Sequence, residues 1–127
     1  MALPTEEVAT LIATYNTLWN EHDLDGIDRH HHPDIVFENH TAGDRVEGKE
    51  AVREHIRKIL ENAPDLTFRS RGVKAGEDFA VSEWTATATR DGKKVEWDGV
   101  DVFPFKDDLI ARKDVYSSSH RPRELSD

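Results

Sequence analysis

Apolar residues recur along the first twenty positions at the spacing of one helical face. Val8, Leu11, Ile12, Tyr15, Leu18 and Trp19 form a single stripe and predict an amphipathic helix. Thr5 is the expected N-cap, with Glu6 and Glu7 in the favourable first turn. Asp23 is expected to cap a short second helix that runs through Ile27 and the histidines and stops at Pro33. Ile35, Val36 and Phe37, between Pro33 and the Thr41-Ala42-Gly43-Asp44 turn, predict a strand over 34–40. Gly48 opens a third helix, with Val52, Ile56, Ile59 and Leu60 on one face and an end near Asn62-Ala63-Pro64. The remainder reads as strands over 66–74, 79–90, 93–105 and 109–118, separated by turn residues. Strands this long exceed the usual ~5–6 residues and tend to curl. The expected fold is therefore α+β: a curved antiparallel sheet with three N-terminal helices on its concave face.

Turn lengths give the register. Asp91-Gly92 as a two-residue turn pairs Arg90 with Lys93, so Trp84 faces Gly99, Ala86 faces Trp97 and Ser82 faces Asp101. A three-residue loop at 106–108 would pair Phe105 with Leu109, and hence Asp101 with Lys113. One face then carries Ser82, Trp84, Ala86, Ala88, Val95, Trp97, Gly99, Phe103, Ala111 and Val115, with Asp101 and Lys113 as its charged exceptions. That nearly apolar face is the one the helices cover. The opposite face is polar at one end and has a Val81, Val100, Val102, Ile110 and Tyr116 patch at the other, which points to a homodimer.

Length and charge narrow the class. The chain has 127 residues, enough for one domain with a core and a cavity beside it. The expected division is one domain over 1–118 and a flexible polar tail over 119–127. The net charge of −9 argues against nucleic acid or an anionic membrane as partner. The sequence has no cysteine, hence no disulfide or thiolate metal site. The first residues lack the basic and apolar regions of a signal peptide, and no apolar run reaches ~20 residues. A soluble, cytoplasmic protein is expected.

Asp101 is the sharpest chemical feature. Among Val100, Val102, Phe103 and indole neighbours, desolvation could keep it protonated as a donor to a developing oxyanion. The alternative is an ordinary ion pair with Lys113, which would keep Asp101 ionised. Lys113 could activate a carbonyl, or simply compensate Asp101. His40 at the strand end has a suitable pKa class for a general base, although strict alternation turns Glu38 and His40 outward and Phe37 and Asn39 inward. His30-His31-His32 on a helix would splay about 100° apart per residue and could not chelate one ion, so no metal is expected. Asp107-Asp108 and Asp23-x-Asp25 lack the ligand count of a calcium loop. Trp19, Trp84 and Trp97 with Phe37, Phe68 and Val115 suit both a core and a small hydrophobic or aromatic ligand.

Several segments together resemble a known family. They are Tyr15-x-x-Leu18-Trp19-Asn20, Ile35-Val36-Phe37-Glu38-Asn39-His40, Gly48-Lys49-Glu50-Ala51-Val52 and Asp98-Gly99-Val100-Asp101-Val102-Phe103-x-Phe105. The chain resembles the nuclear transport factor 2-like superfamily, and more narrowly its SnoaL-like polyketide cyclase and ketosteroid isomerase branch, over roughly residues 5–118. The resemblance implies a cofactor-independent enzyme. It would act on a small hydrophobic carbonyl compound by isomerisation, cyclisation or dehydration, as an isomerase or lyase. Tyr15 and Asp101 match the two oxyanion donors of the isomerases. Asn39 stands where those enzymes have the base, so His40, or a water held by Asn39, would move the proton. The strand reading Trp84-Thr85-Ala86 lacks the Arg-x-Asp of epoxide hydrolases. A non-catalytic binding or dimerisation module of the same fold is the competing expectation.

Overall fold

The structure is a computed structural model that describes residues 4–125. Helix α1 spans Thr5–Asn20 and buries Val8, Ile12, Tyr15 and Trp19 along the expected stripe. Pro4, not Thr5, holds the N-cap position, and no side chain caps the end. The fixed φ of proline leads the chain directly into the first turn, so Thr5 is already helical. Helix α2 spans Leu24–Arg29, and the Asp23 carboxylate accepts from the Gly26 N–H at 2.9 Å.

The histidines correct the sequence expectation. His30 is the C-cap of α2, and strand β1 spans His31–Asn39 with Pro33 inside it. A register shift in the β1–β6 pairing between His31 and Val36 accommodates the proline, which has no N–H to offer the ladder. Strand β2 spans Asp44–Glu47 and pairs antiparallel with β1, an element the polar sequence did not announce. Helix α3 spans Lys49–Asn62, entered through Gly48 at φ 91°, and buries Val52 and Ile56.

Strands β3 (Thr67–Gly76), β4 (Phe79–Arg90), β5 (Lys93–Lys106) and β6 (Leu109–Ser117) form the meander. The sheet order is β2-β1-β6-β5-β4-β3, curved and unclosed. It is mixed, because β1 runs parallel to β6 while the other pairs are antiparallel. Helix α1 crosses β3 and β4, and α3 crosses β1 and β2. The α+β class with three helices on a curved sheet is the expected architecture. Within the tail region, strand β7 (Arg123–Glu124) pairs with β5, and Arg123 bonds Glu96 and Asp98. No helix among the described residues is long and apolar enough to cross a membrane.

The β4–β5 register is as read from Asp91-Gly92, including Trp84 opposite Gly99 and Ser82 opposite Asp101. The β5–β6 register is not. Lys106 pairs with Leu109 across a two-residue Asp107-Asp108 turn, both residues at positive φ. A one-residue shift between Phe105 and Val102 then brings Asp101 opposite Val115 instead of Lys113. Consequently Ile110, expected on the outer patch, is buried, and Ala111, expected inside, is half-buried. The shift turns Lys113 and Val115 inward again, so both lie in the interior with Asp101. The outer patch is left with half-buried Val81, Val100 and Val102 and exposed Tyr116.

Gly99 is where two interior surfaces meet. A Cβ placed there would lie 2.2 Å from the six-membered ring of Trp84. Gly99→Ala must therefore push this indole off its seat. The expected loss is ~1–3 kcal/mol, the usual range for overpacking a filled interior, measured by urea denaturation. An unchanged midpoint would show that Trp84 moves aside freely.

Candidate active site

Asp101 enters the interior from β5 and Lys113 from β6, where the two form a buried salt bridge, Lys113 Nζ to Asp101 Oδ2, at 3.0 Å. Asp101 is 4% and Lys113 6% exposed. Aromatic rings surround the ammonium: Trp19 at 4.8 Å, Phe103 at 4.9 Å, Tyr15 at 5.2 Å and Phe37 at 5.7 Å to the ring centres. The negative faces of such rings partly replace the lost hydration of the cation.

Asp101 is less fully served. Its Oδ1 is buried without a hydrogen-bond partner, as are the indole N–H groups of Trp19 and Trp84. Burial raises the Asp101 pKa above the ordinary carboxylate value; Lys113 opposes that, as does the nearby Trp84 N–H, which stops short of a completed hydrogen bond. The direction follows from desolvation, which penalises the charged form. The floor of the interior thus has one acceptor oxygen and two indole donors unsatisfied, beside an ammonium.

Two cavity lobes meet at this pair, and Trp19, Phe68, Trp84, Asp101 and Lys113 line both. The first, of about 270 Å³, is otherwise walled by Ala13, Asn16, Thr17 and Asn20 of α1 and Ser70 of β3. The second, of about 180 Å³, is walled by Phe37, Leu66, Trp97 and Val115, with Asn39, Arg90, Ser117 and Ser119 toward solvent. Trp19, Phe37, Phe68, Trp84, Trp97 and Val115, the aromatic and apolar residues singled out from the sequence, all line the second lobe. The α1 wall is held in place by side chains. Asn20 makes both an accepted and a donated bond with the backbone of Phe68, and Asn16 donates to Ser82 at 3.0 Å.

The other sequence candidates stand elsewhere. Tyr15 lies beneath the floor, fully buried, and lines neither lobe. Its hydroxyl bonds His31 Nε2 at 2.8 Å, and burial raises its pKa. Asn39 lines the second lobe, but its carbonyl oxygen accepts from the Thr41 and Ala42 N–H groups of its own turn. His40 is on the outer face, as alternation requires, and lines no part of the cavity. It bonds Asp114 at 2.9 Å and stacks on Tyr116 at 4.3 Å. Glu38, His40 and Asp114 offer ligand atoms within 4.8 Å of one another, but the Arg112 guanidinium bonds both carboxylates.

Two residues escaped the sequence reading. His31, expected within the second helix, is the first residue of β1 and is buried against Tyr15, with Nδ1 unpartnered. Burial, assisted by Lys113 and Lys49, holds its pKa down to about 3. Arg90, placed by the sequence only as the partner of Lys93, is exposed, and its guanidinium lies 4.2 Å over the Trp97 ring and borders the second lobe.

The depressed His31 pKa has a definite sign. Its contribution to stability is fully present above the unfolded value near 6.5 and is lost as pH falls toward about 3. The limiting slope is about 1.4 kcal/mol per pH unit. Asp101, raised by burial, contributes in the opposite sense, losing stability as pH rises above its unfolded value. A comparison of wild type with His31→Gln cancels the Asp101 part. Urea unfolding between pH 7 and pH 4 should show a steeper acid loss in wild type than in the variant. Parallel curves would mean that His31 takes up its proton alike in the folded and unfolded states.

Comparisons with known proteins agree with this architecture. A family model described as a SnoaL-like domain matches residues 12–113. No curated protein matches the chain in sequence. Among solved structures, the chain is similar to AclR from Streptomyces galilaeus, a candidate hydroxylase, at 25% identity and TM-score 0.74, covering 89% of this chain and 79% of that one. It is similar to a SnoaL-like protein of unknown function from Burkholderia thailandensis at 23% identity and TM-score 0.76, covering 92% and 100%. A candidate ketosteroid isomerase from Kribbella flavida shares the fold at 14% identity and TM-score 0.74, covering 97% and 93%. The chain belongs to the SnoaL-like family of the nuclear transport factor 2-like superfamily.

Proposed function

We propose that the protein is a cofactor-independent enzyme that enolises a small hydrophobic carbonyl compound, leading to isomerisation, cyclisation or dehydration. One observation supports this reading above the others: the buried Asp101–Lys113 pair stands where the two cavity lobes join, with Asp101 Oδ1 unpartnered.

In this reading the substrate carbonyl oxygen sits by the Lys113 ammonium, where the two lobes join. Asp101 Oδ1 takes a proton from the adjacent carbon. The C–H electron pair becomes the enolate double bond, and the negative charge gathers on the oxygen beside the Lys113 ammonium. The proton then returns from Asp101, to another carbon in isomerisation or to a new alkoxide after attack on a second carbonyl. A carboxylate whose pKa is raised by burial is a stronger base than an exposed one, which suits this work. Asp101 is thus assigned as the proton carrier instead of a fixed oxyanion donor, since neither His40 nor a second acidic residue lines the cavity. Tyr15 acts from below: with His31 it fixes the polar layer against which Lys113 rests.

A non-catalytic binding module is favoured by one fact. Asn39, at the position of the isomerase base, has its carbonyl oxygen tied to its own turn. Hydrogen–deuterium exchange separates the two readings without a known substrate. Acetonaphthone in D₂O should exchange its methyl protons faster with wild type than with buffer, followed by NMR. Asp101→Asn should lower that rate by about a hundredfold or more, as loss of a general base does. Its urea midpoint should fall as well, since the buried Lys113 ammonium loses its counter-charge, so the exchange is followed where both proteins are folded. Bound ketone without exchange in wild type would establish the binding module.

The Val81, Val100, Val102 and Tyr116 patch on the outer face is proposed as the homodimer surface. Sedimentation at micromolar concentration should give a dimer, and Tyr116→Glu a monomer.

A further inference from the structure

Most cationic side chains near acidic groups in this acidic chain are matched. Arg112 holds Glu38 and Asp114, Arg123 holds Glu96 and Asp98, and Arg57 holds Glu54 and Glu61. Arg90 has no carboxylate within salt-bridge distance among the described residues, and it is the arginine that lines the cavity. It is nonetheless held in place. The guanidinium lies over Trp97, and Nη1 donates to the Ser119 carbonyl at 2.9 Å. Stacking and one anchoring bond fix the plane of the fork and leave its other N–H groups for a ligand.

We propose that Arg90 selects substrates with a carboxylate at the end remote from the reacting carbonyl. This rests on the reading of Asp101 and Lys113 given above. The ligand class is an elongated aromatic or alicyclic keto acid. Its ketone lies at the junction of the lobes, its ring body against Trp84 and Trp97, and its carboxylate on Arg90 at the mouth.

Three features fix that class. The two charged stations belong to one lobe, whose walls between them are apolar: Phe37, Leu66, Trp97 and Val115. Trp97, under the guanidinium, is four residues from Asp101 on β5, which at ~3.3 Å per residue is about 13 Å. A keto acid with its two groups at opposite ends of a ring system spans such a length. Finally, a lone guanidinium already committed through one nitrogen matches a monoanion with two oxygens. A phosphate dianion would want a second cation, and the other cavity cation, Lys113, is paired with Asp101.

The test uses three probes: an acetylnaphthoate with its two groups at opposite ends of the ring system, its methyl ester, and acetonaphthone. Binding to the full chain is measured by tryptophan fluorescence and calorimetry. For wild type the acid should bind about tenfold tighter than the ester, the advantage expected of a charge-assisted bond near solvent. Added salt should shrink the advantage. Arg90→Gln should abolish it while the ester and acetonaphthone still bind, and Arg90→Lys should keep part of it. Thermal melts of both variants check that the cavity wall is intact.

Equal affinity for acid and ester in wild type, with acetonaphthone bound, would overturn the Arg90 assignment and leave the carbonyl site standing. An acid preference that persists in Arg90→Gln would also overturn it, and would move the anion to Lys113. No binding of any of the three would remove the cavity reading and the Arg90 proposal with it.

Discussion

The interior is organised around one salt bridge taken out of water. Removing a carboxylate and an ammonium from solvent costs several kcal/mol per ion, and their attraction offsets this only where geometry is good and other groups assist. Here assistance is lopsided. Lys113 is ringed by aromatic faces, whereas Asp101 keeps an unpartnered oxygen. An apolar pair of similar volume would fill the space at no loss of stability. The pair therefore has no explanation in packing alone, and its unequal solvation leaves the carboxylate with an unmet hydrogen bond.

The surroundings act to hold that imbalance. Helix α1 is pinned to β3 and β4 by Asn20 and Asn16, so the wall above the pair cannot slide down onto it. Tyr15 and His31 form a second polar layer below, and the low pKa of His31 keeps that layer neutral. A charged imidazolium there would repel Lys113 and pull the pair apart. Gly99 leaves room for Trp84 to lie flat against the sheet, which places its N–H near Asp101.

Much of this was legible from residue patterns, and the failures have local causes. The Asp91-Gly92 turn fixed the β4–β5 register, and with it the interior placement of Trp84, Trp97 and Asp101. The next turn has two residues where three were expected, an error of one that should have flipped every side chain of β6. The bulge between Val102 and Phe105 cancels it, so Lys113 faces inward while Ile110 and Ala111 do not follow the expected alternation. Alternation cannot reveal a bulge, because the extra residue has no signature of its own. His31 was hidden by Pro33, which stops helices and is uncommon in strands, and so drew the boundary on the wrong side of the histidines. Strands β2 and β7 are short and polar, so their pairing depends on neighbours and not on composition. Arg90 was missed because an arginine beside a turn looks solvated; only the fold brings it over Trp97.

The two lobes differ in a way that bears on how one fold serves many reactions. Their shared floor is charged and fixed by strands β5 and β6, at the centre of the sheet. Their outer walls come from α1 and β3 on one side and from strand ends on the other. Substitutions in those walls would reshape the lobes without disturbing the Asp101–Lys113 pair. The first lobe adds the side chains of Asn16, Thr17, Asn20 and Ser70 to the shared floor, whereas the second adds the rings of Phe37 and Trp97. In the proposed reading, a ligand that filled both lobes would place the atom between its two arms beside Asp101.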